Sequence, residues 1–173
     1  MIRIDIPATS ANLGSGFDSL GIALTMCNRV WMEEADELKI TTTDKIKVPT
    51  DETNLIYWAA RHLYQICGKT LPGLHIIQEN NIPMARGLGS SSACIVAGIL
   101  GANRMLGSPM SQSDLINLAA QIEGHPDNTS PAISGGLVAS AMEGKRVYSV
   151  SVPVSGKISF AVMIPPFELK TEK

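Results

Sequence analysis

Three short stretches of this chain bring chemistry-bearing residues close together. The first runs Pro83, Met84, Ala85 and Arg86, then Gly87, Leu88 and Gly89, then Ser90, Ser91, Ser92 and Ala93. Two glycines around one leucine free the backbone to expose its N–H groups, and Ser90 is a good N-cap for the apolar helix that follows over Ile95, Val96, Ile99 and Leu100. The first N–H groups of a helix have no partners within it and carry the positive end of its dipole, so the stretch suits an anion such as phosphate. It lacks the Gly-Lys-Ser/Thr element of a Walker loop, and Arg86 is the only fixed positive charge close by. A nucleotide held here depends on backbone N–H groups, serine hydroxyls and a metal, which predicts a magnesium requirement.

In the second stretch, residues 7 to 24, Asn12 and Asp18 bracket a turn containing Gly14 and Gly16. A carboxylate and an amide on an exposed loop suit an ammonium group and a polar substrate chain. The plainer reading is a loop whose Asn and Asp bond their own backbone. The third stretch, residues 121 to 136, crowds Glu123, His125 and Asp127 at the end of a helix. A carboxylate there can bind Mg²⁺, which commonly takes only one or two protein carboxylates and fills its other positions with phosphate oxygens and water. His125 can hydrogen-bond a substrate carboxylate or hydroxyl, while Asp127 also suits the N-cap of a short helix over residues 128 to 133.

The elements that must position these stretches are legible in the hydrophobic pattern. Alternation predicts a strand over residues 2 to 8 and a long strand pair over 23 to 35 and 38 to 43. Helical spacing follows over 54 to 67, after an Asp-Glu-Thr opening that can cap it, and residues 73 to 80 read as a strand leading into the glycine-serine loop. The helix begun by the serines extends to about Met105, and after the turn at 107 to 111 a second helix over 113 to 123 stops at Gly124 and Pro126. Three closing strands are predicted over 135 to 143, 145 to 152 and 157 to 165. Strands in runs with helices between them, and no strict βαβ repetition, give an α+β class with the helices on one face.

Composition narrows the function classes. The 173 residues are 45% hydrophobic, with 14 basic against 16 acidic side chains and a net charge of −2, enough for a soluble domain with a real core. No basic stripe or Lys/Arg block appears, which argues against nucleic acid and anionic membranes as partners and favours a small neutral or zwitterionic ligand. Cys27, Cys67 and Cys94 fit neither a disulfide framework nor a zinc spacing and read as reduced core thiols. There is no signal-peptide pattern and no apolar run of the ~18 residues a membrane span needs, so the expected location is cytoplasmic.

Taken together, PATSANLGSGFD, PMARGLGSSSA and EGHPDN resemble the homoserine branch of the galacto-, homoserine, mevalonate and phosphomevalonate (GHMP) kinases, over essentially the whole chain. The resemblance implies Mg-ATP-dependent phosphorylation of the L-homoserine hydroxyl to O-phospho-L-homoserine, for threonine synthesis. It implies that residues 83 to 93 wrap the triphosphate, that Ser91 and Glu123 are magnesium ligands, that Asn54 lies near the adenine, and that Asn12, Asp18 and His125 form the amino-acid pocket. Asp127 and Asn128 fall in the catalytic segment, with Asn128 standing where related kinases have an aspartate base; the hydroxyl proton then passes directly to the phosphate. The implied fold is an N-terminal domain similar to the second domain of ribosomal protein S5, here residues 1 to 165. Residues 166 to 173 read as the cut start of a ferredoxin-like C-terminal domain otherwise absent from the chain, so that the fragment by itself is expected to be nearly inactive. A homodimer is an open assembly. The alternatives are another kinase of the superfamily, acting on mevalonate or shikimate, and a ligand-sensing module without turnover.

Overall fold

The computed structural model describes residues 1–164. Its spine is the 15-residue strand β2, Leu20–Glu34, which pairs antiparallel along one edge with β1, Ile2–Ala11. The other edge of β2 is shared by two strands. Arg29 to Glu34 pair with β4, Leu74–Glu79, and Leu20 to Ile22 pair with β5, Leu137–Glu143. Outermost lie β3, Lys39–Thr42, parallel to β4, and β6, Arg146–Val152, antiparallel to β5.

Alternation sorts the two faces of this sheet. Ile6, Val30, Met32, Ile40, Leu74 and Ile76 point into the core. Arg3, Asp5, Arg29 and Glu79 point the other way, and the Arg29 guanidinium meets the Glu79 carboxylate across the strands at 2.6 Å. The buried face is covered by α2, Ser90–Met105, with α1, Leu55–Ile66, packed on it and α3, Gln112–Glu123, and the short α4, Thr129–Ser134, alongside. The result is the α+β arrangement expected from the pattern.

Several local expectations change. Residues 38 to 43 do not pair with the long strand; β3 joins the far side of β4, because α1 connects the two as a crossover and a crossover delivers a parallel strand. The cap of α1 is Asn54 rather than the preceding Asp-Glu-Thr: its side-chain oxygen accepts from the Ile56 and Tyr57 N–H groups. Ser90 does not cap α2. That position falls to Gly89, left-handed at φ 66°, with no side-chain cap at all, and Ser90 becomes the first helical residue. Asn128 rather than Asp127 occupies the cap position of α4. The α3 helix starts one residue earlier than predicted, under a capping box in which Ser111 and Asp114 bond each other's backbone N–H groups.

Residues 157 to 164, predicted as a strand, form none among the described residues, although Ile158, Phe160 and Val162 alternate as a strand would. The alternation is a real β signal, but a strand exists only by pairing, and this segment pairs with no strand among the described residues. The predicted second-domain segment, residues 166 to 173, lies outside the described residues.

Candidate active site

The start of α2 is where the three stretches meet. The loop before it is held from below: the buried Asn28 side-chain oxygen accepts the N–H groups of Asn81 and Ile82, fixing the chain as it leaves β4 for Pro83. Leu88 is buried, and its carbonyl accepts the Thr9 N–H at 3.1 Å, so the loop leans on β1. Gly87 and Gly89 are both left-handed, as is Ala85 at φ 53°. A non-glycine residue in that region is strained, a cost that tends to collect at ligand-binding turns. The helix start is therefore uncapped by any side chain and preceded by a turn without Cβ atoms at its two glycines. Arg86 stays at the loop, its guanidinium beside its neighbour's carbonyl at Ala85.

Glu123, the last residue of α3, reaches this turn. Its carboxylate accepts a 2.9 Å bond from the Ser92 hydroxyl, and Ser92 is 1% exposed. The serine that meets Glu123 in this structure is thus Ser92, whereas Ser91 stands exposed one residue earlier. No group of three or more potential His, Cys, Asp or Glu ligands occurs among the described residues. A cation here must draw on one carboxylate, the serine hydroxyls and oxygens brought by a ligand, the donor set magnesium accepts beside phosphate. The uncapped N–H groups, the glycine turn and the half-buried Glu123 carboxylate together fit a magnesium-bound phosphate chain.

Beyond Glu123 the chain turns at Gly124 and enters a tight cluster. His125 Nδ1 lies 2.6 Å from Asp127 Oδ1, and the Asp127 side chain is 1% exposed. The hydrogen bond to Asp127 raises the His125 pKa above its ordinary value, with the charges of Asp127, Glu123 and Asp18 adding to the effect and burial opposing it. The imidazolium is the form this corner favours. Asp18 contributes from the first stretch, where Asn12 Oδ1 accepts the Asp18 N–H at 2.9 Å and closes the loop. Both residues are left-handed, at φ 57° and 52°. The Asp18 side chain itself is exposed. Gly21 lets this half of the site close on the other: a Cβ there would lie 1.8 Å from the Asp127 carbonyl oxygen.

The structure therefore gathers Asn12, Asp18, Glu123, His125, Asp127 and Asn128 with the loop from Pro83 to Ala93. Asn54 stands apart. It is buried, its side chain caps α1 and donates to the Pro49 carbonyl, and the helix it opens packs on the middle of α2 near Gly98. Three contributors escaped the sequence: Thr9, Gly21 and the Ser92 pairing with Glu123. Only a glycine among apolar residues of a strand hinted at one of them, as a mark of close backbone approach.

Residues 54–136 match the model of the GHMP kinases N terminal domain. The β2-centred sheet with α2 at its glycine-serine loop is the fold this chain shares with homoserine and mevalonate kinases of known structure. By sequence it is similar to homoserine kinases. It is 45% identical over its whole length to the homoserine kinase of Clostridium botulinum (strain 657 / Type Ba4), of which it spans 58%. The homoserine kinase structure from Cytophaga hutchinsonii superposes with a TM-score of 0.76 at 31% identity, over 89% of this chain and 52% of that one. The mevalonate kinase of Methanococcus jannaschii shares the fold, with a TM-score of 0.66 at 15% identity over 90% of this chain and 56% of that one. The chain thus spans somewhat over half the length of the curated relatives it matches.

Proposed function

We propose that this chain is the N-terminal, nucleotide-binding portion of a homoserine kinase, which transfers the terminal phosphoryl group of ATP to the side-chain hydroxyl of L-homoserine with Mg²⁺ as the metal. In this reading residues 1 to 165 form the nucleotide-binding domain. The expected setting is the cytoplasm, on the route to threonine. Support comes from the homoserine kinase relatives and from one geometric observation, the meeting of a phosphate-type helix start with the Glu123 carboxylate, which accepts from the Ser92 hydroxyl at 2.9 Å.

Bound Mg-ATP supplies the phosphoryl group and the cation that balances its charge. The chain's own residues hold and align. The loop from Pro83 to Ala93 offers backbone N–H groups and the Arg86 charge, while Glu123 with the serine hydroxyls holds the metal. Asp18 receives the substrate ammonium group, with Asn12 keeping its loop closed. The imidazolium of His125 suits a substrate carboxylate or hydroxyl oxygen. The carboxylate next to Asn128 is that of Asp127, which is buried with its Oδ1 bonded to His125. The work of these groups is positioning and charge neutralisation rather than proton abstraction.

The test is a coupled ADP-release assay on the full-length enzyme with homoserine, mevalonate and shikimate in parallel. Homoserine is the expected substrate. Asp18→Asn, which keeps size but removes the charge, raises KM for homoserine by ~10-fold or more and leaves KM for ATP nearly unchanged. Preference for a substrate without an amino group would overturn the substrate assignment.

A further inference from the structure

Thr9 is fully buried and follows a register shift in the β1–β2 ladder between Pro7 and Thr9. Strict alternation would turn one of Ala8 and Thr9 outward, yet both are at 0% exposure. Irregularities of this kind re-aim a side chain, and here the Thr9 hydroxyl is turned onto Asn128, whose Oδ1 it meets at 2.8 Å. Asn128 in turn holds the cap position of α4 without using its side chain to cap, although Asn is among the best residues for that job. Its carboxamide is committed elsewhere: Nδ2 donates to Asp127 Oδ1 at 3.3 Å.

These contacts determine which way the amide faces. The amide nitrogen turns to Asp127 Oδ1, the oxygen that His125 also meets, so the amide oxygen turns to Thr9 and the Thr9 hydroxyl is the donor. Asp127 takes one of the two amide hydrogens. The other remains for a ligand on the half-buried side chain. The place is also fixed: a Cβ on Gly89 would lie 2.0 Å from Thr9 Oγ1 and 3.1 Å from Asn128 Oδ1, so the Thr9–Asn128 pair stands against the turn that opens α2.

We propose that Thr9 is a positioning residue which locks the Asn128 carboxamide with one N–H free to donate to a phosphate oxygen at the start of α2. This rests on the kinase reading above. It also gives Asn128 a definite role: an oriented donor, unable to serve as a base, placed where charge is transferred.

The experiment uses the full-length enzyme with ¹⁵N-labelled asparagine. In the wild type the two Asn128 Nδ2 protons are well separated in frequency, and adding a non-hydrolysable ATP analogue with Mg²⁺ shifts one of them while leaving the Asp127-bonded one in place. Thr9→Val, which keeps the shape but not the donor, moves both amide protons towards the frequencies of a freely rotating carboxamide side chain and lowers kcat by ~10-fold or more, with KM for homoserine held within ~2-fold, because misalignment costs rate rather than ground-state binding. Thr9→Ser restores both. A purely structural threonine would give the opposite pattern, with Ser as damaging as Val and both read in melting temperature rather than in kcat. Unshifted amide protons on adding the analogue, or a Thr9→Val enzyme with wild-type kcat, would overturn the proposal. The wild-type titration needs no variant to fold. It also stands apart from the substrate assignment, since an enzyme that rejected homoserine would still report the amide shift with nucleotide.

Discussion

At the scale of single residues, Glu123 carries the sharpest consequence. Its carboxylate sits at the end of α3, half-buried, bonded to Ser92 within the first turn of α2. Replacing it with glutamine keeps the shape and an acceptor for the serine but removes the charge a cation needs. Glu123→Gln in the full-length enzyme is expected to lower kcat by ~10² or more, about 2.7 kcal/mol of transition-state stabilisation. Thermal melting should hardly move, because the carboxamide still fits beside Ser92. Kinetics at several Mg²⁺ concentrations decide the matter, and wild-type rates at all of them would reduce Glu123 to the end of a helix. The residues of the second and third stretches were legible as types, since Asn, Asp and His beside glycines announce polar chemistry. Their partners were not legible. Nothing in the local sequence tells Asp127 to sit beneath His125, or Thr9 to reach a residue 119 positions away.

At the scale of elements, two glycines of the one helix α2 answer differently to an added methyl group. A Cβ on Gly98 would lie 2.4 Å from the Ile56 carbonyl oxygen of α1, a backbone atom that moves only if the whole helix does. A Cβ on Gly101 would meet the Met32 sulfur at the same distance, and a thioether can swing aside. Alanine gains about 1 kcal/mol in intrinsic helix propensity at either site. Gly101→Ala is therefore expected to stay near wild-type stability. Gly98→Ala should lose about 1–3 kcal/mol through overpacking, visible as a lower urea midpoint. Equal midpoints would show that α1 yields as readily as a methionine.

The α3 capping box gives a pH signature at the same scale. The Ser111 hydroxyl, and then its backbone N–H, hold the Asp114 pKa below the ordinary carboxylate value. A depressed folded-state pKa contributes stability that is present above the unfolded value, near pH 4, and fades as pH falls through the folded one. The stability gap between wild type and Asp114→Asn should accordingly be constant from pH 7 to 5 and narrow below about pH 4 in a series of urea melts. A gap independent of pH would mean the box works without the charge.

At the scale of the whole molecule, one run of exposed apolar side chains lies on an edge strand. Tyr148, Val150 and Val152 share one face of β6, and all three are more than half exposed, Val150 at 67%. Ile158, Phe160 and Val162 follow without forming a strand. An uncovered apolar face beside an edge strand invites association. The 173-residue chain studied alone is expected to associate with rising concentration, and Val150→Lys should shift it towards the monomer in light scattering while leaving the helical circular dichroism unchanged. A chain that stays monomeric without the substitution would show that the face is adequately solvated.

What the sequence by itself determined was whatever depends on neighbours along the chain. Residues 90 to 105 are helical because small and aliphatic residues dominate and no proline interrupts them, Gly98 and Gly101 being the weak points, and the Ser111–Asp114 box starts the next helix on its own. The glycine-serine loop pointed to a phosphate-type site, and the three motifs together pointed to a likeness with the GHMP kinases. Tertiary structure decided what depends on distance in space. It placed β3 on β4 rather than on β2, left residues 157 to 164 without a strand, moved the cap of α2 to Gly89, and joined Thr9, Gly89 and Asn128 in one contact. Pairing, close approach and the facing of a carboxamide each require a partner that the chain brings from tens of residues away, and a local pattern carries no information about that partner's position.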